Sequence, residues 1–283
     1  MIRPEALGEL KDGAAGLVTL CELLASRRVG PRAVTAALAP AAEACTSIAT
    51  AAAALAREVV AAAGGHVHAA AEIQAIFDRA ITAVGALERE LAATKGEPGD
   101  ARTRLVVERA AQLATSQVAA GLFAAELFAS ACAPRTVSIR VADVLAFGPA
   151  HAEGPAVIRA TLDAPPGPVV STDARLLRAL VELGVQIVAG AGVETPHIQV
   201  ASGPSGGARI RVGVPPTTPP GTPKVPIGAR RAPREVVREG AVLTVRRLPW
   251  SDQVRELARA AGAMTGVGVT IDPSGRGVTA IFA

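Results

Sequence analysis

At 283 residues the chain is long enough to bury two separate cores, and half of its residues are apolar. With five Phe, one Trp and no Tyr, those cores must be built from Ala, Val and Leu, which favours helix bundles and thin sandwiches over an aromatic-lined small-molecule pocket. Net charge is only +4, but residues 221–250 hold seven Lys or Arg against two Glu, so the excess sits in one segment.

Residues 1–12 carry Arg3, Glu5, Glu9, Lys11 and Asp12, so no secretion signal is read there. Over residues 5–26, Leu7, Leu10, Ala14, Leu17, Cys21 and Leu24 form a helical stripe that stops at Arg27-Arg28-Val29-Gly30-Pro31. A second stripe over residues 32–63 uses Ala37, Ala41, Ala44, Ile48, Leu55 and Val59, with Pro40 either kinking the helix or marking its first well-formed turn. Gly64-Gly65 ends it. Its Ala-rich run over 49–63, interrupted by Arg57 and Glu58, is too weakly hydrophobic to predict a membrane span, and a soluble helix is expected.

The organising element is residues 69–132, two striped segments folded back through Gly96-Glu97-Pro98-Gly99-Asp100. In the first, Ile73, Phe77, Ala80, Val84, Leu87 and Leu91 recur at alternating four- and three-residue steps, so they share one helical face. In the second, Val106, Leu113, Ala120 and Leu127 fall seven apart, with Ala110, Gln117, Ala124 and Ala131 between them, which predicts a narrow seam of small residues and close helix approach. Four helices joined by short turns predict an antiparallel four-helix bundle over residues 1–133, made of hairpins 5–63 and 66–132. The first hairpin is either a degenerate duplicate of the second, giving a monomer with an internal pseudo-dimer, or an added packing hairpin. A homodimer through the same surfaces stays open.

After Cys132 the texture turns to β-branched residues, Pro and Gly, so a second domain is expected over 134–283. Its elements read as a short helix or strand over 137–147, a strand over 157–162, and a helix over 173–189 capped by Ser171, Thr172 or Asp173. Strands follow over 197–201 and 209–214, and seven prolines without periodicity make 215–233 an open loop. A strand over 242–246, a helix over 251–263 and a closing hairpin around 272–277 complete an α+β sandwich, a mixed sheet with helices on one face. Cys21, Cys45 and Cys132 are widely separated and sit within helical patterns, so neither a disulfide framework nor a metal site is expected. They read as reduced core thiols of a cytoplasmic protein.

With these elements in place, the chain resembles a sensor histidine kinase core: a helical hairpin for dimerisation and phosphotransfer, then an ATP-binding domain of the GHKL type. The residues that carry the resemblance are Leu257-Ala258-Arg259, Gly266, the strand to Ile271 and Ser274-Gly275-Arg276-Gly277-Val278-Thr279. The helix from Asp173 to Leu183, and the strand residues Ile210, Arg211 and Val212, add to it. The departures are as specific as the matches. Where the family has metal-site asparagines, this chain has Glu182, Leu183, Gly184, Gln186 and Ile187, and no Asn occurs anywhere in it. Where the adenine-reading Asp and flexible glycines follow the strand, it has Val214-Pro215-Pro216-Thr217-Thr218-Pro219-Pro220. Valine cannot accept the adenine amino hydrogen bond, and prolines remove both backbone donors and φ freedom. The glycine-rich lid is replaced by residues 223–233. Phosphoryl transfer depends on positioning and charge stabilisation by such parts, so the resemblance implies a degenerate, pseudokinase-like domain with no cofactor.

His66 and His68 lie where a family phosphoacceptor would sit, but Val67 and Ala69-Ala70-Ala71 surround them and Glu72 is the nearest acid. The basic segment offers Lys224, Arg230, Arg231, Arg234 and Arg238 as partner-binding candidates, and without interleaved aromatics it does not read as a nucleic-acid surface. His151 and His197 are assigned no role. The expected function is that of a non-catalytic signalling scaffold acting by protein–protein interaction, with a response-regulator receiver domain as the partner class the resemblance implies. The alternative is a histidine phosphotransferase working through His66 or His68.

Overall fold

The computed structural model describes residues 2–26, 31–94, 101–146, 157–203, 206–215, 241–250 and 254–282. The chain divides into two compact units. The first comprises Met1–Arg135 with Leu248–Thr265, the second Thr136–Arg247 with Gly266–Ala283.

In the first unit, helices α1 (Pro4–Ala25), α2 (Pro31–Ala63), α3 (Val67–Ala93) and α4 (Ala101–Cys132) form a four-helix bundle. One chain supplies all four. Each of α1 and α3 packs against both α2 and α4, as short connections require of neighbouring helices. The stripe expected for α3 is the buried one: Ile73, Phe77, Ala80, Val84, Leu87 and Leu91 all face the core. The helix α2 runs through Pro40. Both α2, over Arg32–Ala63, and α4 are long and apolar enough to cross a membrane by length and composition, and here they pack as bundle helices.

The expected seam of α4 holds in the C-terminal half of the helix, where Ala120, Ala124, Leu127 and Ala131 are buried. It fails in the N-terminal half, where Val106 and Leu113 are 41% and 52% exposed and Val107, Ala111, Ala114 and Val118 are buried instead. Close approach does occur, at Gly121. A Cβ placed on Gly121 would come within 3.2 Å of the buried Phe77 ring of α3. The C-terminus of α1 ends against a side chain of α4. The Arg104 guanidinium donates to the carbonyls of Leu24 at 2.7 Å and Ser26 at 2.8 Å, filling acceptors that a helix end otherwise leaves open. A late helix, α7 (Val254–Thr265), covers α3 and α4. On the approach to it, the Trp250 ring meets Phe123 of α4 edge-on, with centroids 5.7 Å apart and an interplanar angle of 74°.

In the second unit, β1 (Val137–Arg140) runs directly into a short helix α5 (Val141–Ala146), so both expectations for that stretch hold in succession. Strand β2 (Val157–Asp163) follows, then β3 (Val169–Thr172), which pairs antiparallel with β1 and which sequence reading missed. The helix α6 (Ala174–Gly190) begins at Asp173, one of the three candidate caps. Strands β4 (His197–Ser202), β5 (Ala208–Gly213), β6 (Ala241–Arg246), β7 (Gly268–Ile271) and β8 (Gly277–Phe282) complete a six-stranded sheet in the order β6-β2-β4-β5-β8-β7. The β2–β4 pair is parallel and the other pairs are antiparallel, so the sheet is mixed.

Register puts the apolar residues on one face. Val245 faces Ile158, Val200 faces Ile210, Ile210 faces Ala280 and Val212 faces Val278, and all of these are buried. Helix α6 lies on that face, against β5 and β8. The closing hairpin turns at Gly275, whose φ of 70° is one that side chains rarely adopt.

Candidate functional site

Helix α6 packs along the apolar face of the sheet. Its N-terminus is stopped by Asp173, whose carboxylate accepts from the Arg175 backbone N–H at 2.8 Å. Its middle presses directly on the sheet, because Gly184 has no side chain. A Cβ there would come within 3.2 Å of Val212 Cγ2 and 3.6 Å of Val278 Cβ.

The polar side chains in this stretch are engaged within the chain. Gln186, only 6% exposed, donates its side-chain amide to the backbone carbonyl of Arg246 on β6. Glu182 accepts from Arg178 Nε at 2.7 Å, an i,i+4 pair along the helix. Beyond β5 the chain continues with the half-exposed Val214 and then Pro215, so no acidic side chain follows that strand in the described residues.

His66 is the N-cap residue of α3 and His68 lies in its first turn. Both are exposed, and neither ring has a hydrogen-bond partner among the described residues. Glu72, one turn beyond His68, is 2% exposed and takes Arg79 Nη2 at 3.2 Å, so the nearest acid along the helix is directed into the bundle. Of the thiols, Cys45 is buried, and burial followed by the charge of Glu88 pushes its pKa up to about 11. Cys21 lies 3.3 Å from the Thr115 hydroxyl, and Cys132 is exposed. Arg230, Arg231, Arg234 and Arg238, with Lys224 and His151, lie outside the described residues.

Sequence reasoning passed over a second group of cations. Arg140 of β1 and Arg175 and Arg178 of α6 line an open cleft of about 590 Å³ whose wall includes Ile139, Val144 and Ala174. The spacing of Arg175 and Arg178, three apart on a helix, was a visible signal. The contribution of Arg140 was not visible, because it depends on β1 and β3 pairing beside the start of α6. Set against known proteins, the chain matches no family model, no curated protein and no solved structure.

Proposed function

We propose that the protein is a cytoplasmic signalling scaffold with the architecture of a histidine kinase core and without ATP chemistry, acting by docking protein partners. The observation that carries this reading is the hydrogen bond from Gln186 to the Arg246 carbonyl. On the proposed kinship, α6 is the helix whose amides would hold the nucleotide's magnesium. Here the amide is committed to a neighbouring strand, and Glu182 is committed to Arg178. Replacement of the post-β5 acid by Val214-Pro215 supports the same conclusion, since neither side chain can accept from the adenine amino group. Titration calorimetry with Mg-ATP is expected to give no binding heat, and micromolar affinity would overturn the reading. A bundle supplied by one chain favours a monomer, which light scattering tests.

A second reading, phosphotransfer between His66 or His68 and a receiver domain, is supported by the exposure of both rings at the start of α3. It is weakened by the burial of Glu72, which leaves the imidazoles without an orienting carboxylate. Label passing from a phosphorylated receiver domain to the protein, and lost in the His66→Ala, His68→Ala double variant, would establish it.

A further inference from the structure

We propose that the cleft bounded by β1, α5 and the first turns of α6 docks an acidic segment of a protein partner. This deepens the scaffold reading and rests on it. The cleft has a half-buried apolar strip, Ile139, Val144 and Ala174, flanked by the exposed Arg140 and Arg175 and the partly buried Arg178. An apolar centre edged by arginines is the composition of a docking hot spot, because guanidinium combines packing surface with planar recognition of carboxylates.

Charge selects the occupant. Among the described residues neither Arg140 nor Arg175 has an ion-pair partner, while Arg178 has given its Nε to Glu182. The one acidic side chain in the lining is Asp143, so the field in the cleft is positive and complements glutamates or aspartates. The helix amides are not the attraction, since the Asp173 carboxylate already caps them. The cleft is open to solvent rather than enclosed, which suits a segment laid across it better than a buried small molecule.

The test uses the full chain and a synthetic amphipathic peptide whose leucine stripe is flanked by glutamates, with the lysine counterpart as control, read by fluorescence anisotropy. Saturable binding of the glutamate peptide alone is expected. The Arg140→Glu, Arg175→Glu double variant should bind it at least about tenfold more weakly. Unchanged helical circular dichroism certifies that this variant folds, and if it does not, Arg140→Gln with Arg175→Gln should still bind several-fold more weakly. Absence of binding, equal binding of the lysine peptide, or indifference to both variants overturns the assignment. Equal displacement by inorganic phosphate alone also overturns it, because the cleft would then be a small-anion site. Mg-ATP titration of the same sample separates the two claims: ATP binding sinks the scaffold reading, whereas peptide failure with ATP silence sinks only the cleft.

Discussion

The Gln186 side chain of α6 reaches an outermost strand of the sheet and hydrogen-bonds the carbonyl of Arg246, the last residue of β6. Among the described residues β6 pairs with β2 and no other strand, so this amide ties down the end of an outermost strand. Gln186→Ala is therefore expected to destabilise the second unit by about 1–2 kcal/mol. Hydrogen exchange should locate the loss at Val245 and Arg246 while β5 keeps its protection. Gln186→Glu should be worse, since a buried carboxylate would oppose a carbonyl oxygen. That variant should recover stability as pH falls, because burial raises the carboxyl's folded-state pKa and protonation removes the charge.

The pair Glu72–Arg79 sits on one helix with its acid almost fully buried and its base partly in solvent. Removing the base alone, as in Arg79→Met, takes a charged donor from a buried carboxylate and should cost about 1–3 kcal/mol, at the lower side of buried-pair values because Arg79 is partly hydrated. Adding Glu72→Leu should return much of that loss. Chemical unfolding followed by the fluorescence of Trp250, the single tryptophan, reads the effect on the helical unit.

Glu58, near the C-terminus of α2, accepts from the Arg3 backbone N–H at 2.8 Å and from its guanidinium. Burial by itself would raise the carboxyl, but the Arg3 hydrogen bonds and charge hold it below the ordinary value. A depressed folded-state pKa contributes stability that is present above the unfolded value and is lost as pH falls through the folded one. Glu58→Gln should flatten the acid side of the helical unit's stability profile, and the two proteins should converge once the wild-type carboxyl is protonated. Thermal melts at stepped pH check this.

The thiols should label in an order set by exposure and ionisation. With a pKa of about 11, only about one Cys45 in a thousand is thiolate near pH 8, and burial shields it further. Maleimide labelling read by mass spectrometry should modify exposed Cys132 first, even though burial of its sulfur raises its pKa, and Cys45 only on unfolding.

The elements that announced themselves in the sequence are those whose large apolar residues all point one way. In α3 the residues Ile73, Phe77 and Leu87 leave no competing face, and the core lies where they do. In α4 alanines occupy nearly every side, so Val106 and Leu113 seemed to define the seam by size. Packing keeps the expected residues only from Ala120 onward and buries Val107, Ala111, Ala114 and Val118 before them, while Gly121 admits the Phe77 ring. Strand β3 was hidden because it is four residues long and preceded by prolines, and pairing with β1 rather than periodicity makes it a strand. The cap at Asp173 was legible because capping is local, whereas the convergence of Arg140 with Arg175 and Arg178 is tertiary.

The order in which the units claim the chain has a practical outcome. Since Leu248–Thr265 belongs with Met1–Arg135, while Gly266–Ala283 belongs with Thr136–Arg247, neither unit is one uninterrupted length of polypeptide. A fragment cut near residue 135 would leave α3 and α4 without the cover of α7, and the complementary piece would carry that amphipathic helix with nothing to lie on. Recombination could not exchange either half as a cassette, and a single proteolytic nick would not release one.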